Sequence, residues 1–209
     1  MTEGLTLSYA ETEALVRVLH VVGDRGEKAL LARFKYFQRM DFPHRPKVGR
    51  GSRVGYGFED VVQLVLAFQL MELWALPVRI VGSVRRNWPE LREAIGTAAV
   101  FAAGGGVDPP PMLVLTPQAL ATLGQEESGA VAAPDALEPR SRYNLTEWLE
   151  PTRADLEILP DYSIADADRQ CVRVMIDPLR LVRLIRSVLP RVSQLGAGAV
   201  DEALIRMAG

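Results

Sequence analysis

The chain has 209 residues with 24 Lys/Arg, 26 Asp/Glu and a formal net charge of −2. It is long enough for one medium or two small cores, and its composition is ordinary for a globular protein. The single cysteine, Cys171, excludes an intramolecular disulfide framework, and with only His20 and His44 beside it neither a metal nor another cofactor is expected.

The opening, MTEGLTLSYAETE, is acidic and polar and lacks the apolar core of a signal peptide. Ser8 to Glu11 has the S-x-x-E form of a capping box, and Leu15, Val16, Val18, Leu19 and Val22 then form a broad apolar face. This predicts a first helix ending at Gly23, with His20 near its end as a satisfied or surface histidine. A second capping box, Asp24 to Glu27, opens the next predicted helix.

That second helix has two faces. Leu30, Leu31, Phe34 and Phe37 recur at helical spacing and read as core. Lys28, Ala32, Lys35, Tyr36 and Arg39 fall on the opposite side. Next comes MDFPHRPKVGRGSRVGYG, whose prolines and glycines forbid a helix and favour a protruding loop. From Arg25 to Arg53, nine cations (Arg25, Lys28, Arg33, Lys35, Arg39, Arg45, Lys47, Arg50 and Arg53) face only Glu27 and Asp41, a net of +7. Such a field on a nearly neutral chain points to a polyanionic partner.

Phe58 to Ala75 is apolar nearly all round and reads as the buried spine of the domain. Gln63, Gln69 and Glu72 interrupt the greasiest run, which is too short to span a bilayer, so no membrane partner and a cytoplasmic location are expected. Pro77 suits the first position of a fourth helix, with Val78, Ile80, Val81 and Val84 continuing the core. Arg79, Arg85 and Arg86 read equally well as an extension of the cationic surface or as solvated arginines. Trp88-Pro89 breaks or kinks this helix before it resumes from Leu91 to Val100.

The order of these pieces resembles the DNA-binding part of MerR-type winged helix-turn-helix regulators, over residues 10–95. The aromatic run Phe34-Lys35-Tyr36-Phe37-Gln38-Arg39-Met40-Asp41-Phe42-Pro43 stands where the family has the end of its recognition helix. Gly51-Ser52-Arg53-Val54-Gly55-Tyr56 stands in the wing, and Glu59-Asp60-Val61 opens the following helix. Lys35 replaces the usual Arg, Asp41 replaces the usual Gly, and the wing carries one extra residue. The resemblance implies a winged helix-turn-helix with a recognition helix at about 25–40 and a basic wing at 44–56. It further implies that Lys28, Arg33, Lys35, Tyr36, Arg39, Arg45, Lys47, Arg50 and Arg53 contact double-stranded DNA.

Gly104-Gly105-Gly106 and the prolines after it mark a linker or sharp turn, and no heptads follow Ala103, so the family's long dimerising helix is not expected here. Two domains are expected: residues 1–103 bind DNA, and 104–209 form a small α/β domain for oligomerisation or effector response. Met112 to Thr116 and Cys171 to Ile176 read as strands of one small sheet, each feeding a helix. Between them, residues 124–170 hold eleven acids against four arginines, and the first part reads as a flexible loop. Asp161, Asp166 and Asp168 lack the glycine and downstream glutamate of a calcium loop and read as surface carboxylates. Arg180, Arg183 and Arg186 line the last long helix, placed to meet this acidic stretch.

The expected fold class is therefore mainly α with a small β component. No hydrolase elbow, P-loop, dinucleotide fingerprint or zinc-protease motif occurs, so no enzyme is expected. The favoured function is a sequence-specific transcriptional regulator, with a homodimer through the C-terminal half and RNA polymerase as further partners. A recombination directionality factor and a protein-interaction adaptor are the alternatives.

Overall fold

The computed structural model describes residues 5–20, 23, 26–43, 55–72, 77–106, 109–116, 136–140 and 174–208. These residues are mainly helical with two small sheets, as the hydrophobic periodicity predicts. They fall into two compact units, Met1–Gly106 with Leu179–Gly209, and Val107–Pro178.

The first unit opens with β1 (Thr6–Ser8) and α1 (Tyr9–Leu19). The expected capping box is formed: the Glu11 amide donates to Ser8 Oγ at 3.2 Å and the Ser8 amide donates to Glu11 Oε2 at 2.8 Å. α2 (Glu27–Arg39) starts from Gly26 with no side-chain cap, and Asp24, which opens the second expected capping box, lies outside the described residues. An Arg17–Glu27 ion pair at 3.6 Å ties the end of α1 to the start of α2. β2 (Gly55–Gly57) pairs antiparallel with β1, Leu7 opposite Tyr56, which joins the first strand to the entrance of α3 (Phe58–Met71).

Nine residues of α3 are buried on every side of the helix, so it is the spine of this unit. α4 (Pro77–Arg86) packs on it through Ile80, Val81 and Val84. α5 (Trp88–Ala102) is a separate helix after Asn87, with Pro89 in its first turn where a missing N–H costs nothing. Glu59 joins the start of α3 to α5, accepting from Trp88 Nε1 at 3.3 Å and from Arg92 Nε at 2.9 Å.

The turn expected at the triple glycine closes α5. Gly104 has φ +90°, its amide donates to Phe101 O, and the Gly105 amide donates to Val100 O, the two bonds of a Schellman cap. The chain leaves this unit after Gly106. The chain then returns, because α6 (Pro178–Val192) and α7 (Ala197–Ile205) group with the N-terminal unit rather than with a separate C-terminal domain.

The reason for that return is apolar. Leu179, Val182, Ile185 and Leu189 lie buried on one face of α6, and Val200, Leu204 and Met207 are buried beyond it. A short 3₁₀ turn, Arg206–Ala208, lies on α5 at Gly96, where a Cβ would come within 2.1 Å of the Ala208 amide nitrogen. Only glycine permits that approach.

The second unit contains β3 (Met112–Thr116), β4 (Ala136–Arg140) and β5 (Val174–Ile176) in one antiparallel sheet of order β4-β3-β5. The two expected strands are β3 and β5. β4 lies inside the stretch expected to be a loop. Its sequence, ALEPR, has a proline and no alternation of β-branched residues, so pattern alone could not reveal it. The helix expected after Thr116, the acidic residues Asp161, Asp166 and Asp168, and Cys171 lie outside the described residues.

Candidate nucleic-acid interface

α2 is held by aromatic packing on one side. Leu30, Phe34 and Phe37 are buried, and the rings of Phe34 and Phe37 lie 4.8 and 5.3 Å from that of Phe68 on α3. Tyr9 packs on Phe34 from α1 at 5.7 Å. At about 100° per residue, this buried side leaves Lys28, Ala32, Lys35, Tyr36 and Arg39 within an arc of about 100° on the opposite side. All five are exposed, and Arg33 is exposed at the flank. Five expected site residues are thus placed on one solvent-facing helix surface: Lys28, Lys35, Tyr36 and Arg39 together, with Arg33 beside them. The others, Arg45, Lys47, Arg50 and Arg53, lie outside the described residues.

The end of α2 is fixed by a device that sequence reading treated as a mismatch. Asp41 has φ +54°, the left-handed conformation that glycine adopts most readily and aspartate tolerates. The Asp41 amide donates to Gln38 O and the Phe42 amide to Phe37 O, a second Schellman cap. Its hydrophobic closure is the Phe37–Phe42 ring contact at 5.6 Å. Asp41 therefore takes the left-handed position that glycine most often fills in such a cap.

Arg85 completes the cap from α4. Its Nη2 donates to Met40 O at 3.0 Å and to Asp41 O, and its guanidinium lies 5.9 Å from the centre of the Phe42 ring. A cation at a helix C-terminus satisfies carbonyls that the helix cannot. Arg85 is exposed, as both readings of it require, and in addition its side chain fastens α2. Its spacing from α2 in sequence, across a whole helix, gave no signal of this.

Gln38 also binds α2 to β2, its Nε2 donating to Tyr56 Oη at 3.1 Å, and Tyr56 is fully buried. The tyrosine expected in the wing therefore belongs to the core. Beside the exposed face lies a groove of about 330 Å³ lined by Ala29, Ala32, Arg33, Tyr36, Met71 and Pro77. The cationic surface is thus flanked by small and apolar side chains rather than acids.

His20 is buried against Phe68, with Nδ1 2.7 Å from Glu72 Oε1, and its Nε2 has no partner among the described residues. No group of three or more His, Cys, Asp or Glu among the described residues could hold a metal. No described helix is long and apolar enough to cross a membrane. Comparison with known proteins finds no matching family model, no similar curated protein and no similar solved structure.

Proposed function

We propose that this protein is a sequence-specific double-stranded DNA-binding regulator of transcription that reads the major groove with α2. The observation that carries this reading is the exposed face of α2, with Lys28, Lys35, Tyr36 and Arg39 and no acid among them. A rigid helix offering cations along about 16 Å of its length suits a groove about 12 Å wide. Lys28, Arg33 and Arg39 supply phosphate contacts that set register, while Lys35 and Tyr36 reach base edges.

The arrangement around α2 supports a winged helix-turn-helix. α1 leads into it by a short connection, and β2 returns to pair with β1 just before α3. The basic residues Arg45, Lys47, Arg50 and Arg53 follow α2 in sequence and add contacts to the DNA backbone.

The test is salt-titrated binding to random-sequence duplex, followed by selection of bound sequences. With about six phosphates neutralised, log K should fall against log salt with a slope near −5. The double substitution Lys28→Ala with Arg39→Ala should reduce the magnitude of that slope by about 2 while leaving stability within about 0.5 kcal/mol. An enriched palindrome identifies a dimeric regulator. An asymmetric site identifies a recombination accessory factor instead. Absence of binding at low salt overturns the proposal.

A further inference from the structure

α6 carries four arginines and no acid: Arg180, Arg183, Arg186 and Arg191. They do not share one fate. Arg186 is turned into the fold, where Nε and Nη2 grip Asp201 at 2.7 and 2.8 Å and Nη1 donates to Ala102 O at 2.7 Å. Arg180, Arg183 and Arg191 fall within about 60–80° of one another on the outer side and are all exposed. Arg183 and Arg191 make no hydrogen bond or ion pair among the described residues, and they are separated by about 12 Å along the axis.

We propose that this outer face of α6 is a second contact to the phosphate backbone of the same DNA duplex, an inference that rests on the reading of α2 above. Three observations favour a duplex over other partners. The apolar face of α6 is already buried by Leu179, Val182, Ile185 and Leu189, so no greasy side remains for a lipid surface. The outer face offers arginine and Ser187 with no exposed aromatic or large aliphatic anchor, which a protein interface needs at its centre. Arginine on a fixed helix suits bidentate contact with phosphate.

The fold also relates α6 to α2. The Gln194 amide, just past the end of α6, donates to Glu11 Oε1 in the first turn of α1, and Arg17 in the last turn of α1 meets Glu27 at the start of α2. α1 therefore ties the end of α6 to the start of α2 through residues six apart, about 9 Å along its axis, within one compact unit. Clamping by Arg186 keeps the outer arginines of α6 in a fixed orientation.

Binding of the full chain to a random-sequence duplex of about three turns tests this. Arg183→Ala with Arg191→Ala should reduce the magnitude of the salt slope by about 2, whereas Arg183→Lys with Arg191→Lys should restore most of it. Arg206→Ala, an equal change of charge per site at a residue paired with Glu202, should leave the slope within error. If wild type binds and the α2 double variant lowers the slope while the α6 alanine pair keeps the full slope, the α6 contact is overturned and the function stands. If the Arg206 variant lowers the slope equally per charge, the effect is net charge and the contact is again overturned. If wild type does not bind, both proposals fall.

Discussion

α2 and α6 both belong to the first unit and both turn several basic residues outward, yet they are fastened by opposite means. α2 is held by rings, Phe34 and Phe37 against Phe68, and by a cap that another helix closes through Arg85. All four of its own cations remain outside. α6 is held by an aliphatic row and by one of its own arginines, Arg186, which bridges α5 and α7. Arginine is thus a fastener or a surface charge according to its place on the helix, and counting cations along a sequence does not separate the two.

Breaking the ring attachment has the largest expected effect. Phe37→Ala removes contacts to both Phe68 and Phe42 and leaves a cavity, at a cost of about 3–5 kcal/mol measured by chemical denaturation. Duplex binding should fall with it, because the helix loses both its floor and its cap. Breaking the arginine clamp is milder. Arg186→Ala leaves Asp201 and the Ala102 carbonyl to water at a partly exposed site, at a cost of about 1–2 kcal/mol. Denaturant melts of Arg186→Ala and Arg183→Ala should therefore differ, the latter changing stability by less than about 0.5 kcal/mol.

The smallest effect sharpens the link between the two helices. The Ser8 amide, then the Ser8 hydroxyl and the Gln194 amide, hold the Glu11 carboxyl below the usual glutamate range, against a small opposing effect of burial. A lowered folded pKa means that the unfolded chain takes up a proton more readily. The contribution of Glu11 is therefore present above the ordinary glutamate pKa and is lost as pH falls through the depressed folded value. Glu11→Gln should cost less than about 1 kcal/mol at neutral pH, and the difference from wild type should shrink on acidification. A difference that grows on acidification would contradict the assigned direction.

Much of this was legible in the amino-acid order because it depends on neighbours in sequence. The Ser8–Glu11 cap, the buried spine of α3 and the two faces of α2 follow from spacings of two to four residues. The features that escaped depend on partners far along the chain. Arg85 reaches α2 across 44 and 45 positions and Arg186 reaches Ala102 across 84, and no local pattern encodes either choice. Arg186 pairs with Asp201 on α7, and the acidic stretch it was expected to meet lies, but for Ala136–Arg140, outside the described residues. Asp41 shows the converse: a left-handed turn forms although the residue there is not glycine, the type that signals it most strongly. β4 escaped because its pairing with β3 is set by backbone hydrogen bonds, to which a segment such as Ala136–Arg140 can contribute without a distinctive side-chain pattern.

The discontinuous make-up of the first unit sets a schedule on the ribosome. The chain reaches Gly106 with β1 to α5 in place, but α6, α7 and the turn that lies on Gly96 come from Leu179–Gly209. The 72 residues of Val107–Pro178 intervene, a delay of about 4–14 s at a synthesis rate of 5–20 residues per second. During that interval the nascent chain presents a basic α2 while the side of α5 that will receive the final turn is still uncovered.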